Sequence, residues 1–121
     1  MLLDSNIIIY SFQQKYQFLQ AFMSDHETCC SAISRVETLG YPNLSADEKL
    51  YLEECFDTIT VFPVSKTVID NAVTLRQQRK MSLGDAIIAA TALEYRQTLI
   101  TRNVKDFDWV EGLKVVDPFV Q

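Results

Sequence analysis

The chain has 121 residues, of which 48% are hydrophobic and 11% aromatic, and its formal net charge is −5 at pH 7. This length predicts one domain over residues 1–121, with enough apolar side chains for a single core. No apolar run approaches the roughly 18 residues of a membrane span, and no signal-peptide pattern is present, so we expect a cytoplasmic protein with no membrane association. The acidic balance argues against a general nucleic-acid binder, because phosphate contacts require a basic face.

Patterns typical of strands and of helices alternate along the whole chain. Short apolar runs predict strands over residues 1–3, 28–31, 59–62, 98–101 and 114–116. Helical spacing predicts helices over residues 5–13, 16–23, 34–40, 45–57, 65–80 and 85–97. Such alternation is typical of a parallel sheet with right-handed crossovers and helices on both faces. We therefore predict an α/β fold, a three-layer α/β/α sandwich around a central parallel sheet of about five strands.

The fourth and fifth predicted helices have the clearest starts. Ser45 and Glu48 form a capping-box pattern, and Ser65 precedes the next apolar stripe. The helical spacing places a larger set of side chains in the core: Leu50, Tyr51, Cys55 and Phe56 from the fourth helix, and Val68, Ile69, Ala72, Val73 and Leu75 from the fifth.

The chain has three cysteines and one histidine. Cys29, Cys30 and Cys55 are an odd number and form no C-x-x-C pattern, and His26 is isolated. We therefore predict small buried thiols in a reducing compartment and no zinc site.

With only three glycines, the chain also has no Gly-rich phosphate loop, which excludes P-loop and dinucleotide-binding sites. The paired early acids and late lysine of a receiver-like phosphoacceptor domain are missing as well.

Four carboxylates lie where predicted strands end or predicted helices begin. Asp4 follows the first strand, Glu37 lies in the third helix, Asp85 opens the last helix, and Asp106 follows the fourth strand. Ligands of parallel α/β sheets bind outside the carboxyl ends of the strands. Acids that gather there repel one another unless a cation holds them, and Mg²⁺ or Mn²⁺ prefers oxygen ligands. The sequence therefore predicts a metal site suited to phosphodiester hydrolysis.

Each acid also has a purely structural explanation. Asp4 can cap a helix, Ser34 and Glu37 fit a capping box, Asp85 can favour a helix dipole, and Asp106 can start a turn. Taken singly, these explanations are preferred. The joint pattern favours the metal site.

Short polar residues and basic residues accompany the four acids. Ser5 and Asn6 follow Asp4, and Thr101 and Asn103 follow the fourth strand, where they can orient metal ligands. The missing side chain at Gly84 leaves room for a substrate beside Asp85. The candidates for contacts with a nucleic-acid backbone are Arg35, Arg76, Arg79, Lys80 and Arg102. The alternative for the 76–80 run is a solvated helix end, where cations are favoured in the last turn.

Four stretches in order carry a family resemblance. They are residues 2–6 (LLDSN), 31–37 (SAISRVE), 83–92 (LGDAIIAATA) and 99–107 (LITRNVKDF), and residues 112–119 (GLKVVDPF) are similar in kind. With these motifs the chain resembles PIN-domain ribonucleases, specifically the VapC-type toxins of type II toxin–antitoxin pairs. The resemblance implies a PIN-like fold and a metal-dependent endoribonuclease that uses Mg²⁺ or Mn²⁺ and cleaves RNA.

The resemblance also implies site residues and partners. Asp4, Glu37 and Asp85 match the acidic core of the family. Many relatives have an aspartate at the position of Asn103 and others use the position of Asp106, so we expect Asp106 to complete the site with Asn103 in support. A homodimer and a cognate antitoxin are implied as partners.

The expected antitoxin surface is the apolar part of the second helix with Phe18, Phe22 and Met23, although these side chains also fit a core. Two alternatives to the toxin stay open. One is a housekeeping RNA-processing nuclease. The other is a catalytically inactive PIN module that binds a protein or RNA, which the amide at Asn103 favours.

Overall fold

In the computed structural model, which describes residues 1–120, five short strands form one parallel sheet in the order β3-β2-β1-β4-β5. The strands are β1 Leu2–Leu3, β2 Cys29–Ser31, β3 Thr60–Phe62, β4 Leu99–Ile100 and β5 Val115–Val116. The helices of the described part are α1 Ser5–Phe12, α2 Phe18–Asp25, α3 Ile33–Leu39, α4 Ala46–Thr58, α5 Lys66–Gln78 and α6 Leu83–Glu94. Two 3-10 turns, Gln14–Tyr16 and Val104–Asp106, complete the order.

The order of the strands reverses next to β1. The chain places β2 and then β3 on one side of β1, and returns to place β4 and β5 on the other side. Right-handed crossovers in opposite directions put their helices on opposite faces of the sheet. The point where the strand order reverses is where such sheets open a crevice at their carboxyl ends. Here it lies between β1 and β4.

The sheet separates two apolar clusters because neighbouring residues of a strand point to opposite faces. Leu2 and Leu99 pack with α5 and α6, whereas Leu3 and Ile100 pack with α1, α2 and α4. These four strand residues are completely buried, each with 0% of its surface exposed. The predicted three-layer α/β/α fold is confirmed.

Details within the elements differ from the prediction. The helix predicted over residues 16–23 is α2, which begins at Phe18 and ends at Asp25, and a separate 3-10 turn precedes it at Gln14–Tyr16. Leu50, Ile69 and Val73 are exposed rather than buried, because α4 and α5 each turn a narrow stripe inward. In α4 that stripe is Leu52, Cys55 and Phe56, at the i, i+3, i+4 spacing of one helix face.

The capping and cysteine predictions agree with the structure. Ser45 and Ser65 accept hydrogen bonds from backbone N–H groups three residues on, at 3.1 and 3.2 Å. All three thiols are free and buried, and burial raises the pKa of Cys30 to about 12. Within residues 1–120, no helix has the length and apolar character needed to span a membrane.

Candidate active site

Asp4 lies at the carboxyl end of β1, directly before α1. It has the extended backbone of a helix N-cap, yet its side chain makes no capping hydrogen bond. Its Oδ2 instead accepts a hydrogen bond of 2.8 Å from the hydroxyl of Thr101, which directly follows β4. The Asp4 N–H donates to the Ile100 carbonyl at 2.9 Å, so β1–β4 pairing fixes both residues. Asp4 thus occupies the N-cap position of α1, as the structural explanation predicted, but its side chain does not cap the helix.

The Asp4 carboxyl is nearly closed off from solvent, with 4% of its surface exposed. Burial raises its pKa from 3.8 to about 6. The hydrogen bond from Thr101 opposes this shift, while the charges of Asp85 and Glu37 add to it. A carboxylate in this environment is stabilised by any cation that can reach it.

Glu37 approaches from α3. The Ser5 hydroxyl donates to Glu37 Oε1 at 2.7 Å and lies 2.9 Å from Ser34 Oγ. The helix begins at Ile33 after Ala32, so Ser34 is inside the helix and its side chain caps nothing. The capping-box explanation for Ser34 and Glu37 is therefore wrong. Ser5, one residue after Asp4, orients the Glu37 carboxylate.

Gly84, in the first turn of α6, lies against the side chain of Glu37. A Cβ atom at residue 84 would overlap with the carboxylate of Glu37. The space that we expected for a substrate is thus filled by Glu37 itself. The glycine lets α3 and α6 bring Glu37 and Asp85 to the same place.

Asp85 lies half-buried in the first turn of α6, and Asp106 is exposed in the 3-10 turn after β4. Ser82 caps α6 by accepting from the Asp85 N–H at 3.1 Å. Burial is the main cause that raises the pKa of Asp85, and the charges of Asp106 and Glu37 raise it further. Asp85 therefore lies between Asp106 on one side and Asp4 and Glu37 on the other, close enough to be affected by their charges.

Asp85 and Asp106 line one cavity of about 520 Å³. The remaining lining residues are Arg76, Arg79, Lys80, Met81, Ser82, Lys105 and Trp109. Three of the predicted backbone-binding cations therefore lie beside two of the predicted acids. Asn103 donates its N–H to Thr101 Oγ1 at 3.0 Å and is exposed, so its backbone supports the site through Thr101.

Two of the predicted cations lie elsewhere. The guanidinium of Arg35 is 5.9 Å from the centre of the Phe56 ring, on the α4 side of α3. Arg102 stacks 4.2 Å from the centre of the Phe119 ring and donates to the Tyr16 hydroxyl at 3.4 Å. Asn6 is partly buried in α1.

The donor chemistry of the acidic cluster fits a hard cation. All four acids offer oxygen, and the ion pair found within residues 1–120, Lys66 with Asp70, involves none of them. No three acidic, histidine or cysteine side chains of this part converge into a ready ligand set. Binding of an ion therefore requires the carboxylates to move toward it. Oxygen donors without a cationic partner are what Mg²⁺ and Mn²⁺ bind.

Three contributors escaped the sequence pattern. Ser34 contacts Ser5, Ser82 caps α6, and Trp109 lines the cavity. Ser82 had a readable signal, since Ser82 and Asp85 have the spacing of a capping box. Ser34 had none for this role, because its contact with Ser5 joins residues 29 positions apart. Trp109 had none either, because the cations that share its cavity include residues 76–80 of another part of the chain.

Several solved structures have a similar fold over nearly the whole length of this chain. A toxin–antitoxin complex from Klebsiella pneumoniae contains a chain with 32% identity and a TM-score of 0.79, covering 97% of this chain and 96% of that one. FitAcB from Neisseria gonorrhoeae shows 22% identity and a TM-score of 0.77, with 99% of both chains covered. VapBC2 from Rickettsia felis, bound to a promoter DNA fragment, shows 19% identity and a TM-score of 0.80, with 96% of both covered.

A comparison with curated protein sequences gives no significant match. The family model described as "PIN domain" matches residues 1–113, which include every acid of the site. The resemblance read from the four motifs is therefore confirmed. The chain belongs to the PIN-domain family.

Proposed function

We propose that the protein is a metal-dependent endoribonuclease that hydrolyses phosphodiester bonds of RNA and acts as the toxin of a VapBC-type pair in the cytoplasm. The observation that carries the proposal is a run of neighbouring carboxylates at the carboxyl edge of the sheet. Asp4 is affected by the charges of Asp85 and Glu37, and Asp85 by those of Glu37 and Asp106. None of the four has an ion-pair partner within residues 1–120. The toxin–antitoxin complexes among the similar structures support the toxin role. Residues 1–121 act as one nuclease domain in this proposal.

In this proposal, the position of each residue determines whether it binds the metal ion or holds another ligand in place. Asp4 and Asp85 bind the ion directly, with Thr101 fixing Asp4 and Ser82 holding the start of α6. Glu37, oriented by Ser5, supports the ion from α3. When bound, Mg²⁺ or Mn²⁺ would lower the pKa of a coordinated water and polarise the scissile phosphate.

The remaining polar residues act further out. Asp106 completes the acidic set from the 3-10 turn, and Asn103 supports Thr101. Arg76, Arg79 and Lys80 bind the RNA backbone in the cavity beside Asp85.

Two partner surfaces follow in the same proposal. A second copy of the chain docks on the exposed apolar side chains of α5 and α6, namely Ile69, Val73 and Leu83, which are 42%, 51% and 60% exposed. A cognate antitoxin covers the region of Phe18, Phe22 and Met23, where Phe18 is 46% exposed. A housekeeping nuclease is the alternative role, and an antitoxin gene next to this one separates the two.

The test is cleavage of total cellular RNA by the purified protein with Mg²⁺ or Mn²⁺, and again with EDTA. We expect discrete fragments that require the metal. If no metal supports cleavage, and mass spectrometry finds no copurified inhibitor, the inactive binding module becomes the better explanation.

The raised pKa of Asp4 predicts a stability that depends on pH and metal together. The folded state binds more protons than the unfolded state between about pH 4 and pH 6, so stability falls as the pH rises through this window. A shift of about two pKa units corresponds to about 3 kcal/mol at most. A bound divalent cation removes this penalty, so Mn²⁺ should raise the melting temperature at pH 7.5 and have little effect at pH 5.

Thermal unfolding at both pH values, with and without Mn²⁺, measures this effect. Asp4→Asn is the control, because an amide cannot titrate there. It should reduce the pH dependence to the part that Asp85 contributes and remove most of the response to Mn²⁺. An equal response to Mn²⁺ at pH 5 and pH 7.5 would contradict the role of Asp4 as a ligand.

A further inference from the structure

The cavity beside Asp85 and Asp106 contains an aromatic side chain that the proposed chemistry does not use. Trp109 lines this cavity and is the only tryptophan of the chain. It is partly buried and packs against the core cluster of α5 and α6. Its indole N–H donates to the Asp106 carbonyl at 3.0 Å. The ring is therefore held in a fixed position relative to Asp106.

A cation already lies over this ring. The guanidinium of Arg79 is 5.4 Å from the centre of the Trp109 ring, and Arg79 itself is exposed. Such a pair is weak at a solvent-exposed position. A nucleobase can stack on the indole in its place, because every base has a flat π-face, and the released guanidinium is then free for a phosphate.

The charge around Trp109 favours a phosphate. Arg76, Arg79, Lys80 and Lys105 line the cavity against two carboxylates, although the whole chain carries a net charge of −5. Arg76 is held in place by donating its Nε–H to the Met81 carbonyl at 3.1 Å. An aromatic platform among cations is the combination that binds single-stranded nucleic acid.

We propose that this cavity binds one unpaired nucleotide of RNA next to the scissile phosphate. Its base stacks on Trp109, and a phosphate is held by the cations that line the cavity: Arg76, Arg79, Lys80 and Lys105. The proposal rests on the proposed ribonuclease function and adds a base-binding subsite at Trp109 to it. A base within a duplex is stacked on its neighbours and cannot reach the indole, so the cavity selects unpaired RNA.

Fluorescence of the single tryptophan tests this directly. Asp4→Asn protein is titrated with a short single-stranded oligoribonucleotide, since Asp4 does not line the cavity and the variant should not cut the probe. We expect quenching of the indole fluorescence. An abasic strand of the same length and charge should bind about tenfold more weakly and leave the fluorescence unchanged. A duplex of the same sequence should also leave it unchanged.

Variants of Trp109 give a second measurement with a fluorescently labelled strand. Trp109→Leu should weaken binding about tenfold, while Trp109→Phe keeps an aromatic face and should lose less. Melting curves identify any Trp109 variant that fails to fold, and the indole signal of the Asp4→Asn protein, which keeps Trp109, then decides alone. Equal affinity and quenching for intact and abasic strands would overturn the stacking proposal, and so would an absence of binding.

The nuclease proposal is tested separately by RNA cleavage with wild-type protein. Metal-dependent cleavage without quenching would overturn the stacking subsite alone. Quenching by single strands without any cleavage would support the subsite and overturn the nuclease.

Discussion

Asp4→Asn should abolish metal-dependent RNA cleavage, with a fall in rate of about 1,000-fold or more, while the fold is kept. The substitution replaces a buried anionic ligand with an amide, which binds a cation much more weakly. The new side chain has nearly the same shape, and its carbonyl oxygen can still accept the hydrogen bond from Thr101. The rate of cleavage in Mg²⁺ or Mn²⁺ measures the effect.

The same variant should be more stable than the wild type at neutral pH without metal. Its amide removes the buried charge whose pKa is raised to about 6 and the repulsion from Asp85 and Glu37. The gain is at most about 3 kcal/mol, following from a shift of about two pKa units. A loss of activity together with a gain of stability is the signature of a functional residue held at a cost to the fold.

Asp57→Asn is the matched control for this prediction. Asp57 is exposed on α4, so the change in net charge is the same and the site is untouched. It should cleave RNA like the wild type and melt at nearly the same temperature. If Asp4→Asn keeps cleaving at the rate of Asp57→Asn, Asp4 is not a metal ligand.

Gly84→Ala should reduce cleavage by about 10- to 100-fold without destabilising the protein. The added Cβ overlaps with the carboxylate of Glu37, which is the end of a flexible and exposed side chain. The side chain can move away without moving the backbone, and it then loses the hydrogen bond from Ser5. Alanine is favoured over glycine in a helix by about 1 kcal/mol, so the melting temperature should stay equal or rise.

A double-mutant cycle with Glu37→Ala identifies the cause. If alanine at residue 84 acts by displacing Glu37, adding it to Glu37→Ala protein should cause no further loss of activity. The single variants should then lower kcat by similar factors. If Gly84→Ala instead raises KM and does so equally in both backgrounds, the glycine serves substrate access, as the sequence alone first indicated.

The course of the backbone could be read from the sequence because it depends on local patterns. Apolar runs around Leu2, Cys29 and Leu99 mark the strands, and the alternation with helices requires a parallel sheet. Once the sheet is parallel, Asp4 and Thr101 must meet at its carboxyl edge. Their hydrogen bond joins residues 97 positions apart, yet the pattern had placed both at the same edge.

The helix faces were read less well. Leu50, Ile69 and Val73 have helical spacing but are exposed. The periodicity shows that a helix has an apolar face, but it locates that face around the helix axis only approximately. The direction is set by what each helix packs against. Leu52 of α4 faces the cluster around Leu3, and no local property of the sequence distinguishes it from Leu50.

The sequence by itself determined the order of the elements, the parallel sheet and the sheet edge at which Asp4 and Thr101 meet, since local apolar patterns and the polarity of parallel strands require them. Only the tertiary structure decided that Ser5 orients Glu37, that Gly84 makes room for that carboxylate, and that Arg102 stacks on Phe119. The physical reason is that these contacts join side chains from separate elements. Their distances depend on how the helices pack across the sheet, which no local spacing encodes.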